Sequence, residues 1–162
     1  MSKSDDCRAK VLEVLNKARS MELYAIHQYM QQHFTLDDED YGQLASKMKK
    51  IAIDEMKHAE AFAERIKDLG GEVTSEPAGK IVKGQTTKDI YGFDTDVEDD
   101  TVAKYNEFIK VCRDNNDAVS ENLFLKIINV EQEHLNYFGD TDNHIKTLKD
   151  SFLSKMSTGE AD

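Results

Sequence analysis

The chain has 162 residues, 33% of them charged and 39% apolar, with one proline and no tryptophan. That length carries one domain, and a formal net charge of −11 argues against nucleic acid as partner, because phosphate recognition needs clustered Lys and Arg. No stretch reaches about 18 unbroken apolar residues and the opening MSKSDDCRAK lacks an apolar core, so the reading is no membrane span and a cytoplasmic location.

Apolar residues recur at helical spacing along most of the chain, which predicts an all-α fold. Ser4, Asp5 and Asp6 supply N-cap chemistry for a first helix over 5–34, with its stripe at Val11, Leu15, Ala18, Ala25, Ile26 and Tyr29. At about 1.5 Å per residue it is roughly 45 Å long, a bundle helix. The acidic turn LDDEDYG opens a second helix, 38–69, which runs through Leu44, Met48, Ile51, Glu55, Phe62 and Ile66 to Gly70 and Gly71. The next stretch, GGEVTSEPAGKIVKGQ, holds four glycines and the only proline, so it is a connection. A hairpin needs only a few residues, whereas about 15 residues at roughly 3.3 Å each can run the length of a bundle. A third helix over 87–114 carries Ile90, Val97, Val102, Tyr105, Phe108, Ile109 and Cys112. After a turn at Asp114 to Asp117, a fourth over 117–149 carries Val119, Leu123, Ile127, Val130, His134, Leu135 and Phe138. A short fifth helix over 151–156 and a loose tail, STGEAD, complete a single domain, 1–162. Cys7 and Cys112 stand far apart without a CxxC, so two reduced thiols are expected rather than a zinc site or a disulfide.

Inside the second helix a carboxylate and an imidazole interrupt the apolar stripe. Glu55 and His58 are three positions apart and share one helix face, and Glu131 and His134 repeat the arrangement on the fourth helix. Each E-x-x-H is preceded 33 positions earlier by another glutamate, Glu22 and Glu98 (55 − 22 and 131 − 98). The chain is thus two helical hairpins of one design. Four carboxylates and two imidazoles can meet in an apolar interior only around positive charge. A pair of divalent cations supplies it, and one Glu from each of two helices plus E-x-x-H from the other two is the ligand set of di-iron and di-manganese bundles. Oxygen-rich ligands with two imidazoles suit iron or manganese better than zinc. A lone E-x-x-H is usually a solvated pair, but two in register are not so easily dismissed. Reading both histidines as core residues would leave the glutamates buried without partners, at several kcal/mol each.

Three residues carry competing readings. Thr95 to Glu98 also fits a capping box, with Asp94, Asp96, Asp99 and Asp100 nearby; a helix starting at Thr86 or Thr87 would put Glu98 three turns inside and remove that reading. Tyr29, seven positions after Glu22, is a hydrogen-bond donor or one-electron donor to the centre, or a core tyrosine. Met56 points away from the face of Glu55 and His58, beside Ala52 and Ile53, while Leu23, Ile26 and Met30 form a similar stripe on the first helix. That outward apolar patch reads as a subunit interface.

MELYAIHQY, IDEMKHAEAFAERI and VEQEHLNYF, with the two spacings of 33, resemble the bacterioferritins, the haem-containing ferritin family, over about residues 6–156. DEMKHAE is the most specific stretch. The resemblance implies a ferritin-like four-helix bundle with a long crossover and a short fifth helix, in a hollow shell of 24 subunits built from haem-bridged dimers. It implies a ferroxidase that oxidises Fe(II) with O₂ or peroxide and stores the product as ferric mineral. By position, Glu22, Glu55, His58, Glu98, Glu131 and His134 would hold two iron ions per subunit, with Glu55 and Glu131 bridging. Met56 would be the axial ligand of a haem shared by two subunits, which passes electrons inward for iron release from a small redox protein. The sequence departs from the family at Lys50, where some members carry an iron-binding histidine beside the retained Asp54, and at Tyr137, where others have tryptophan. The alternatives are a di-iron peroxidase resembling rubrerythrin, whose four-cysteine module two distant cysteines cannot build, a dimanganese catalase, and a haem-binding electron-carrier dimer.

Overall fold

Five helices in the expected order make up the computed structural model, which describes residues 3–157: α1 Lys3–Asp38, α2 Gly42–Asp68, α3 Thr87–Asp114, α4 Ala118–Leu148 and α5 Asp150–Met156. No strand occurs among the described residues. Of the expected tail 157–162, all beyond Ser157 lies outside them.

The ends of α1, α2 and α3 are closed by one device. Asp40, Gly70 and Asn116 have φ of 62°, 73° and 58°, and the next residue's N–H reaches back five positions: Tyr41 to Leu36, Gly71 to Ile66 and Asp117 to Cys112, at 2.9, 2.9 and 3.0 Å. These are Schellman closures, in which a left-handed residue lets the chain cap its own last carbonyls. They explain why α1 runs four residues past the expected Phe34 and α2 starts four residues later than 38. The sequence LDD still belongs to α1, because Leu36 is fully buried and the first left-handed residue is Asp40. The third helix starts where expected, with Thr86 as N-cap and Asp89 accepting from its backbone N–H at 2.9 Å. Ser4, Asp5 and Asp6 fall inside the first turn of α1, where the two aspartate charges favour the positive helix end.

From Leu69 to Thr86 the chain is strapped along α1 and runs in the same direction. Asn16 donates to the Glu72 carbonyl at 3.0 Å, Arg19 to the Thr74 carbonyl at 2.8 Å, the Ser20 carbonyl accepts from Ala78 at 2.8 Å, and Gln28 donates to the Val82 carbonyl at 3.0 Å. Three side chains and one main-chain carbonyl of α1 thereby satisfy backbone groups of the crossover. The crossover delivers α3 to the far end of α1, where Thr87 donates to Glu39 at 2.5 Å, so α3 runs antiparallel to α1. At the other end Arg65 grips the start of α4, with two bonds to Asp117 at 2.8 and 2.9 Å and one to Ser120 at 2.9 Å.

Apolar packing divides into two clusters. One gathers Tyr29, Leu36, Met48, Ile51, Ile90, Tyr91, Phe138 and Ile145, and the other Val11, Leu15, Phe62, Ile66, Tyr105, Phe108, Phe124 and Ile127. Among the described residues, no helix is long and apolar enough to cross a membrane, and Cys7 and Cys112 are free thiols.

Candidate metal centre

Glu22 from α1, Glu55 and His58 from α2, Glu98 from α3, and Glu131 and His134 from α4 come together between the two apolar clusters, none more than 8% exposed. They form two overlapping groups. Glu22, Glu55, His58 and Glu131 each offer one ligand atom within 4.8 Å of the others, and so do Glu55, Glu98, Glu131 and His134. Glu55 and Glu131 belong to both, the arrangement expected of residues placed to serve two positions. Glu98 lies three turns inside α3, so the capping-box reading of Thr95 to Glu98 is removed.

The polar geometry has a deficit that the two imidazoles cannot fill. His58 Nδ1 lies 2.8 Å from Glu131 Oε1 and 3.0 Å from Glu55 Oε2, while His134 Nδ1 lies 2.9 Å from Glu55 Oε1 and 3.2 Å from Glu131 Oε2. One N–H cannot point at two carboxylates, and Glu55 Oε1 and Glu131 Oε1 have no hydrogen bond of acceptable geometry. Lone pairs from four helices therefore converge on space that a cation would satisfy.

Electrostatics says the same. Burial, with the charges of Glu131 and Glu55 added, pushes the Glu22 carboxyl well above the usual range; burial with Glu55 and Glu131 does the same to Glu98. Burial also opposes the charge on Glu55, but the facing His134 and His58 imidazoles outweigh it and hold that carboxyl at about 2. The imidazoles move the other way: burial disfavours their charge, yet the surrounding carboxylates raise His58 to about 12 and His134 to about 9. Without metal, protons are the centre's counterions.

Two tyrosines close it. The Tyr29 hydroxyl donates to Glu98 Oε1, and the Tyr105 hydroxyl to Glu22 Oε1, in short bonds between fully buried partners. Tyr29 is a candidate from the sequence, whereas the apolar periodicity of the third helix presents Tyr105 only as part of its stripe. The signal was present, since Tyr105 follows Glu98 by seven positions as Tyr29 follows Glu22. Asp54, 3.9 Å from His134 Nε2 and 2.8 Å from Lys57, stands behind the centre, while Lys50 is exposed and Tyr137 lies half-buried under the Lys47 ammonium. Met56 is 54% exposed on the outer face of α2, in a groove with Leu23, Ile26, Ile53 and Ala63.

A bundle whose four long helices bring one carboxylate, an E-x-x-H pair, one carboxylate and a second E-x-x-H pair to one buried point is a dinuclear carboxylate protein of the ferritin-like class. The family profile described as the ferritin-like domain matches residues 12–148. The bacterioferritin of Desulfovibrio desulfuricans is 56% identical over 162 residues, covering 97% of this chain and 90% of that protein. A crystal structure of D. desulfuricans bacterioferritin, which captured its di-iron site in different catalytic states, superposes with a TM-score of 0.97 at 54% identity, over 100% of this chain and 94% of that one. The bacterioferritin of Mycobacterium leprae is 32% identical over 127 residues, 78% of this chain and 80% of its own. The chain belongs to the bacterioferritin branch of the ferritin family.

Proposed function

We propose that this protein stores iron and detoxifies it, by oxidising Fe(II) to Fe(III) at the centre formed by Glu22, Glu55, His58, Glu98, Glu131 and His134. The observation that carries the proposal is the pair of overlapping ligand groups with Glu55 and Glu131 common to both. Two Fe(II) ions are the substrate, each giving up one electron. With O₂ as oxidant, two electrons and two protons leave as hydrogen peroxide; with peroxide, the O–O bond breaks and two waters leave. Holding two ions together matches a two-electron oxidant and avoids releasing a one-electron radical. Four carboxylates stabilise the higher charge of Fe(III), and the apolar clusters on either side keep bulk water away. Tyr29 holds Glu98 and stands close enough to act as a one-electron donor. The net charge of −11 draws cations toward the protein.

The oxidised iron passes into the cavity of a 24-subunit shell, each subunit being one ferritin-like domain over 1–162 and the assembly lying in the cytoplasm. Met56 is the haem ligand of this reading. Its thioether is exposed among apolar residues on the outside of α1 and α2, as a shared site between two copies requires, and methionine is an established axial ligand type. Haem bound there supplies electron transfer, and reduction by a small redox protein would release stored iron. The electron-carrier alternative leaves the four carboxylates with protons alone, and their unsatisfied oxygens speak against it.

Stopped-flow oxidation tests the proposal. The Glu55→Ala, Glu131→Ala double variant should lose the fast phase of Fe(II) oxidation while still assembling; an undiminished fast phase removes the centre from the account.

A further inference from the structure

We infer that Tyr105 is a positioning residue of the centre, and that the two tyrosines each govern one metal position. Tyr105 governs the position formed with Glu22 and His58, and Tyr29 the one formed with Glu98 and His134. The inference rests on the dinuclear reading above and adds to it a residue and a division of labour.

Each tyrosine follows the lone glutamate of its own helix by seven residues, about 10.5 Å, yet donates to the glutamate of the other helix. The exchange is reciprocal because α1 and α3 are antiparallel, which sets Tyr29 opposite Glu98 and Tyr105 opposite Glu22. On the Tyr105 side the phenol occupies Glu22 Oε1, and Oε2 is left facing the centre, 3.8 Å from His58 Nδ1. The ring cannot drift. Tyr105 packs edge-on against Phe62 and Phe124, with centroids at 5.8 and 5.3 Å, and lies 6.1 Å from Phe108. Tyr29 is pinned in turn against Phe138 at 5.3 Å.

The choice of phenol has a physical logic. A lysine or arginine would also bind the carboxylate, but its charge would compete with the metal. A phenol gives one fixed neutral donor, leaving the carboxylate's negative charge for the ion. Partners of this kind, one bond behind a ligand, typically change metal affinity by about 10–100-fold. A hydroxyl that merely satisfied a buried oxygen would alter stability and leave both affinities untouched.

Co(II), which binds without being oxidised, separates these roles through its visible absorption when titrated anaerobically into the metal-free assembled protein. The wild type should take up two per subunit. Tyr105→Phe keeps the ring and its aromatic contacts, and should weaken one binding step by about 10–100-fold while leaving the other unchanged; Tyr29→Phe should do the same. Histidine backgrounds assign the sides. With His134→Ala, the remaining Co(II) step should weaken by about 10–100-fold on adding Tyr105→Phe and stay unchanged on adding Tyr29→Phe, and with His58→Ala the reverse. Two wild-type steps in Tyr105→Phe, equal weakening of both, or sensitivity to Tyr105→Phe in the His58→Ala background would overturn the inference. Fewer than two Co(II) in the wild type would instead strike at the dinuclear reading. Should Tyr105→Phe not assemble, Tyr29→Phe in the two backgrounds decides the same rule.

Discussion

Loading the centre with metal should expel protons, and the structure sets their number. Burial opposes charge on both imidazoles, but the facing carboxylates prevail and hold His58 at about 12 and His134 at about 9. At pH 7 even His134 is then about 99% protonated without metal. A ligating nitrogen must be deprotonated, so binding a pair of ions releases about two protons per subunit from the imidazoles alone. The Glu22 and Glu98 carboxyls, raised mainly by burial, shift in the direction that adds to this release. Each proton released makes the overall binding constant rise about tenfold per pH unit, so the two imidazole protons give about 100-fold per unit between about pH 7 and 8, easing toward about tenfold as pH passes 9. Adding Co(II) to metal-free protein in a pH-stat counts the protons directly, and His58→Ala should lower the count by about one. Stability follows with a definite sign. An imidazole raised above its ordinary value stabilises the fold fully below pH 6.5 and loses that contribution as pH climbs through about 9 and about 12. The gap in melting temperature between loaded and metal-free protein should therefore widen from pH 6.5 to 9. Glu55, held at about 2, works oppositely: its contribution is present above pH 4.5 and fades as pH falls toward 2. Release of fewer than about half a proton per subunit would refute the reasoning, because it would mean that neutral imidazoles face the carboxylates before metal arrives.

Met56→Leu keeps the apolar volume of the outer groove but removes the thioether, so under the haem-ligand proposal wild-type protein given haem should show a low-spin spectrum that the variant lacks, while the variant retains fast Fe(II) oxidation in stopped flow. Arg65→Ala breaks a largely buried pair with Asp117 and strips a partner from Ser120; a loss of about 3 kcal/mol is expected in denaturant unfolding, against little change for Arg8→Ala at an exposed pair. Asp94 is fully buried, accepts one bond from Gln32 at 2.7 Å and leaves Oδ2 without a partner, and burial raises its carboxyl well above the usual range. A raised group loses its stabilising contribution as pH rises above 3.8, so Asp94→Asn should gain about 1–3 kcal/mol at pH 8 and almost nothing near pH 4 in urea unfolding of the metal-free form.

The clustering of the six side chains was legible because they lie within helices, where a fixed rise and turn convert sequence spacing into spatial register. Glu55 with His58, Glu131 with His134 and the two intervals of 33 needed no tertiary information, and the Thr86 cap settled the standing of Glu98. The closure of α1 was harder to read: Asp40 adopts a left-handed conformation that glycine would have announced, so the helix outran its expected end. Tyr105 was missed for another reason. A tyrosine in an apolar stripe looks like packing until the facing helix is known, and its partner Glu22 lies 83 positions away. Likewise, nothing in Asn16, Arg19 or Gln28 declares that their partners are backbone groups of the crossover.

That strap decides more than connectivity. Were α2 and α3 joined by a tight hairpin, α3 would run alongside α1 in the same sense, and each phenol would meet the other phenol while the two outer glutamates crowded together. Carrying the chain back along α1 before α3 begins turns one half of the molecule over relative to the other. A repeated motif thus becomes a pair of seats related by a half-turn, each held shut from across the aisle.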